Sequence, residues 1–115
     1  MVSTCLQAAD EVAQEGISCE VIDLRSLLPL DYDCVINSIQ KTSRVIVVHE
    51  AIKRGGFGSD IVAEIVERGF DLLDAPPIRV GAKNIPLAYN DALEDATLPG
   101  VADIIAAIKK SLSDF

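Results

Sequence analysis

Residues 44–65, RVIVVHEAIKRGGFGSDIVAEI, constrain the fold more than any other stretch of the chain. Val45 to Val48 form an unbroken apolar run, the composition of a strand covered on both faces. With a strand over 44–49, His49 and Glu50 fall at its carboxyl end, where open α/β sheets place their ligands. Gly55, Gly56 and Gly58 free the backbone to turn sharply into a helix over 57–68. In that helix Ile61 and Ile65, and Val62 and Val66, recur at a spacing of four.

The flanking segments alternate in the same way. A helix over 4–15 has Leu6, Ala9 and Ala13 on one face with Ala8 and Val12 beside it, and Gly16 is placed to end it. SCEVIDL, residues 18–24, has the residue types of a strand, Cys19 and Val21 alternating with Glu20, Ile22 and Leu24. Pro29 breaks the chain, and Asp31 is a cap for a helix over 32–41 with Val35, Ile36 and Ile39 as its buried stripe. Pro76 and Pro77 introduce a short strand, Ile78 to Val80, and residues 81–100 are irregular. A last helix over 101–112 presents Val101, Ile105, Ile108 and Leu112 on one face, with Lys109 and Lys110 at its negative end. This alternation predicts an α/β sandwich, a parallel sheet between two helical layers with right-handed crossovers. Three strands are few for such a sheet, and a further strand before Met1 would complete it.

A chain of 115 residues, half of them hydrophobic, is long enough for one domain with a core of its own. Eighteen acidic against ten basic side chains give a formal charge of −8. That balance disfavours nucleic acid and anionic membrane surfaces, which need basic footprints. It suits a basic protein partner, and it is equally the surface of many proteins that have none. Cys5, Cys19 and Cys34 are odd in number and lack metal-site spacing, so reduced thiols in a cytosol-like compartment are expected, with Cys34 as a small core residue beside Val35 and Ile36.

Few residues carry the marks of chemistry. His49 and Glu50 are the one acid/base-like pair, but neighbours on a strand point to opposite faces. The Gly55-Gly56-Phe57-Gly58 turn opens a helix whose free N–H groups can hold an anion, yet it matches neither dinucleotide nor P-loop patterns. It serves equally as a tight turn supporting an interface. Asp91, Glu94 and Asp95 cluster in a loop, an arrangement more often solvated than metal-binding. No nucleophile motif occurs, and no catalytic or metal-ligating set is assigned. Two readings of the residues stand beside a scaffold role: a small-molecule or anion-binding domain using the Gly55–Gly58 turn, and an enzyme with His49 as general base.

Four strings in order, SCEVIDLRSLLPLD (18–31), RVIVVHEAIKRGGFGSDI (44–61), LDAP (73–76) and LEDATLPGVADI (93–104), carry a resemblance. Together they resemble the carboxyl-terminal domain of the beta subunit of thiamine-diphosphate-dependent 2-oxoacid dehydrogenases of the pyruvate, branched-chain and acetoin type. The likeness covers Met1 to about Leu112, so residues 1–115 read as a single transketolase C-terminal-like domain.

The resemblance implies a three-layer α/β/α sandwich with a mixed sheet of about five strands. It implies a domain that binds no thiamine diphosphate itself, the cofactor lying between the alpha subunit and the preceding beta-subunit domain. The partners implied are the alpha subunit, a second beta subunit and the small basic binding domain of an acyltransferase core. On this view His49, Glu50 and the Gly55–Gly58 turn lie towards subunit interfaces, while Asp74 and the terminal carboxylate of Phe115 face the basic partner. The implied location is the cytoplasm, or the mitochondrial matrix or plastid in a eukaryote. Relatives carry a strand just before the match to Met1-Val2, inside the sheet between the strands matching 18–24 and 44–49. Its absence implies either a domain truncated at its first strand, with raw sheet edges, or a sheet rearranged to bring those edges together.

Overall fold

The computed structural model describes residues 2–23, 31–52, 57–82 and 99–113. In chain order these form α1 (Val2–Ala13), α2 (Tyr32–Thr42), β1 (Ile46–Ile52), α3 (Phe57–Gly69), a 3-10 turn (Phe70–Leu72), β2 (Ile78–Ala82) and α4 (Val101–Leu112). β1 and β2 pair in parallel, with Ile46 opposite Ile78, Val47 opposite Arg79 and Val48 opposite Val80. Beyond Val48 the register shifts, so that Ile52 meets Ala82.

The two faces of β1 enter two separate cores. Ile46 and Val48 pack on a cluster of Ala8, Val12, Ile104 and Ile108, which joins α1 to α4. Val45 and Val47 pack on a cluster of Val35, Ile39, Ile61 and Ile65, which joins α2 to α3. Alternate residues of one strand thus bury into opposite helical layers, the reason the run is apolar at every position. This is the expected α/β/α arrangement.

Local signals account for the helix ends. Gly16 takes φ +84°, and its N–H reaches the carbonyl of Ala13 while the Ile17 N–H reaches that of Val12, closing α1 in a Schellman pattern. The Asp31 carboxylate accepts from the Cys34 N–H and caps α2. Asp103 Oδ2 accepts from the Gly100 N–H at 2.9 Å at the start of α4.

Four sequence expectations need correction. Residues 18–23 form neither helix nor ladder, although they carry strand-forming residues. Strand propensity expresses itself only where a neighbour supplies the ladder, and among the described residues no strand lies beside this segment. β1 runs to Ile52, so His49 and Glu50 lie within it rather than at its end. The faces of α1 and α4 are rotated: Ala8 and Val12 are buried while Leu6 is half exposed, and Ile104, Ala107, Ile108 and Ser111 are buried while Leu112 is 44% exposed. The sheet selects the stripe, and both helices carry two overlapping ones. Cys34 is exposed, one position off the Val35–Ile39 stripe of α2.

Candidate functional site

Two of the expected site residues, His49 and Gly58, meet where β1 packs on the first turn of α3. His49 projects to the same layer as Val47 and lies against Gly58: a Cβ built on Gly58 would stand 2.5 Å from His49 Cδ2 and 2.6 Å from Nε2. Only glycine permits that approach. Both ring nitrogens of His49 are buried without a hydrogen-bond partner among the described residues. The backbone of Glu50 continues β1 and that of Phe57 begins α3. Gly55 and Gly56 lie outside the described residues, as do Asp91, Glu94 and Asp95.

The other two expected positions stand apart from this cluster. Asp74 is exposed after the 3-10 turn, its backbone N–H held 2.8 Å from the carbonyl of Ser43. That bond ties the entry to β2 to the end of α2 and fixes where the Asp74 carboxylate is displayed. Phe115 lies outside the described residues.

Sequence reasoning missed the other half of the site. A cavity of about 530 Å³ lies alongside β1. His49 and Gly58 line it, as do Ile17 to Asp23, Arg44 and Ser111. Ser111 is 2% exposed, and its hydroxyl has no partner among the described residues. Arg44 Nε donates to the Ser111 carbonyl at 2.9 Å, pinning the last turn of α4 to the start of β1. The buried stripe Ile104, Ala107, Ile108, Ser111 follows an i, i+3, i+4, i+7 rhythm, so a serine on it was the available signal.

The electrostatics are mild. Glu20, on the cavity wall, is held below the usual carboxylate range chiefly by its hydrogen bond to Lys41, with help from Ser38. Burial pushes the Cys5 and Cys19 thiols up. Among the described residues, no three His, Cys, Asp or Glu side chains gather as a metal site, and no helix is long and apolar enough to cross a membrane. The arrangement is a sheet covered on both faces and a half-buried histidine packed on a helix start, its two ring nitrogens enclosed.

Comparisons with known proteins agree with this fold. The chain is 42% identical over 113 residues to the mitochondrial pyruvate dehydrogenase E1 component subunit beta of Bos taurus, covering 97% of this chain and 32% of that protein. It is 41% identical over 113 residues to the acetoin:2,6-dichlorophenolindophenol oxidoreductase subunit beta of Bacillus subtilis, covering 98% and 33%. It therefore spans about a third of the length of these relatives. Among solved structures it superposes on a split gene transketolase, described as an inactive beta4 tetramer, with a TM-score of 0.79 and 28% identity over 96% of this chain and 36% of that one. The family profile described as "Transketolase, C-terminal domain" matches residues 1–104. By sequence, by fold and over nearly its whole length, the chain belongs to the transketolase C-terminal domain family.

Proposed function

We propose that residues 1–115 form a non-catalytic assembly and partner-docking domain of the beta subunit of a 2-oxoacid dehydrogenase decarboxylase component. The observation that carries this reading is the match to beta subunits of pyruvate and acetoin enzymes across nearly the whole chain. The site geometry fits it, with His49 packed against Gly58 where β1 meets α3. In this reading thiamine diphosphate belongs to the rest of the parent assembly, and the domain shares that assembly's location, the cytoplasm or an organelle matrix.

The partners in this reading are the alpha subunit, a second beta subunit and the basic binding domain of an acyltransferase core. His49, Glu50 and the Gly55–Gly58 turn serve the subunit contacts. Asp74 and the Phe115 carboxylate serve the basic partner, and the net charge of −8 favours its approach. The test has two parts. Calorimetry and a decarboxylation assay on this chain are expected to give neither thiamine diphosphate binding nor pyruvate turnover; turnover would overturn the reading. Asp74→Lys is expected to weaken association with a basic acyltransferase binding domain about tenfold, mainly at low salt. Unchanged affinity would remove Asp74 from the docking surface.

A further inference from the structure

We infer that Phe70 is the apolar anchor of the docking surface: its exposed ring enters an apolar pocket on a protein partner whose pocket rim carries lysine or arginine. The inference rests on the docking reading above and adds to it a contact that charge alone does not supply.

The ring stands out because everything around it is turned inward. Phe70 is 69% exposed, the most exposed of the large apolar side chains among the described residues. Gly69 is buried so close to α2 that a Cβ built on it would stand 3.2 Å from Ile36 Cδ1. Leu72 and Leu73 pack on the cluster of Val35, Ile39, Ile61 and Ile65, and Ala75 is buried. The Leu73 N–H donates to the Phe70 carbonyl at 3.2 Å, and the Asp74 N–H to the Ser43 carbonyl at 2.8 Å. The backbone on both sides of Phe70 is thus fastened to α2 and the core, while Phe70 belongs to neither core cluster. An aromatic ring held out on a fixed backbone loses little freedom when a partner covers it, which is what an interface anchor requires.

The charge around the ring selects what covers it. Glu67, Asp71 and Asp74 lie within four positions of Phe70, all exposed, and none of them forms an ion pair among the described residues. Arg68 is the one cation between Phe57 and Asp74, and it is already engaged. Its Nε donates to Glu64 Oε2 at 3.0 Å, and its guanidinium lies 4.7 Å from the centre of the Tyr32 ring. A second copy of this chain, docked here through a two-fold contact, would set the three carboxylates against their own counterparts, and like charges at an interface repel. A pocket rimmed by lysine or arginine takes the ring and pairs the carboxylates together. Burial of the ring then supplies the part of the affinity that salt leaves alone, and the carboxylates supply the part that salt screens.

The test is calorimetry of this chain with a basic acyltransferase binding domain, at low and at high salt. Phe70→Ala is expected to weaken binding about tenfold at both, with a smaller negative heat-capacity change because less apolar surface is buried. Phe70→Leu is expected to recover most of the affinity. Asp74→Lys is expected to act mainly at low salt and to leave the heat-capacity change as it was. The melting temperature of Phe70→Ala is expected to match that of the unsubstituted chain, since the ring packs in neither cluster, and this separates a lost contact from a lost fold. Three results overturn the proposal. Unchanged affinity for Phe70→Ala beside a weakened Asp74→Lys variant removes Phe70 and leaves the docking reading standing. No binding by the unsubstituted, folded chain removes the docking reading and the anchor with it. Self-association of the unsubstituted chain in sedimentation, lost in Phe70→Ala with affinity for the binding domain unchanged, makes the ring a contact between copies of this chain.

Discussion

The His49 imidazole lies so close to the Gly58 backbone that a single added methyl there would stand 2.5 Å from Cδ2. β1 and α3 are therefore fitted to each other at one point, where a large ring meets a position without a side chain. Gly58→Ala is expected to destabilise the domain by about 1–3 kcal/mol, the cost of overpacking a filled site. His49→Ala should relieve the clash, so the double variant is expected to be more stable than the sum of the single changes allows. A urea-unfolding double-mutant cycle measures this coupling, and an additive cycle would show that the ring swings aside without cost.

The two helical layers hold separate apolar clusters. Ile65, 1% exposed, and Ile104, 4% exposed, belong to clusters on opposite faces of β1. Each Ile→Ala change is expected to cost about 2–5 kcal/mol, through lost burial and the cavity left behind. Because they sit in different clusters, the pair should add to within about 0.5 kcal/mol in chemical denaturation. Strong coupling would mean that the sheet transmits strain between layers.

Much of this was legible in the chain. The run Val45–Val48 announced a strand covered on both faces because every position was apolar, and Asp31 and Gly16 announced helix ends because capping depends on local atoms alone. What failed depended on neighbours far along the chain. Whether 18–23 becomes a strand depends on a ladder partner, which its own alternation does not encode. Whether α4 buries Ser111 or Leu112 depends on how the helix is rolled onto β1 and α1, and both stripes pass through Ile108. The contact of His49 with Gly58 was invisible for the same reason: the spacing of nine residues fixes a turn but not the depth at which α3 settles on the strand.

The end of α2 carries a removable cost. Ser43 holds φ 63°, a left-handed conformation, while its N–H bonds the Ile39 carbonyl at 2.7 Å. A non-glycine residue in that region is strained by about 1 kcal/mol. Ser43→Gly keeps the bond and removes the strain, so a rise in melting temperature is expected, whereas Asp31→Ala at the other end of α2 should cost about 1 kcal/mol by uncapping it. Thermal scans of the two variants should move in opposite directions, and a fall for Ser43→Gly would mean that its side chain contributes more than its backbone costs.

The pH dependence of the cavity wall can be read through Glu20. Its carboxylate bonds Lys41 at 3.1 Å, an exposed ion pair that ties the 18–23 segment to α2. The hydrogen bonds from Lys41 and Ser38 lower its pKa below the 4.5 of an unperturbed glutamate. A depressed carboxylate binds its proton more readily in the unfolded chain, so its contribution is fully present above that ordinary value and is lost as pH falls through the folded-state value. Glu20→Gln is therefore expected to lower the melting temperature slightly at neutral pH and to match the unsubstituted chain in strong acid. The gap should also shrink in high salt, because the pair is exposed and easily screened. A gap that stayed constant from neutral pH into acid would mean that Glu20 acts through its packing and not its charge, and the tether between the cavity wall and α2 would then have to be sought elsewhere.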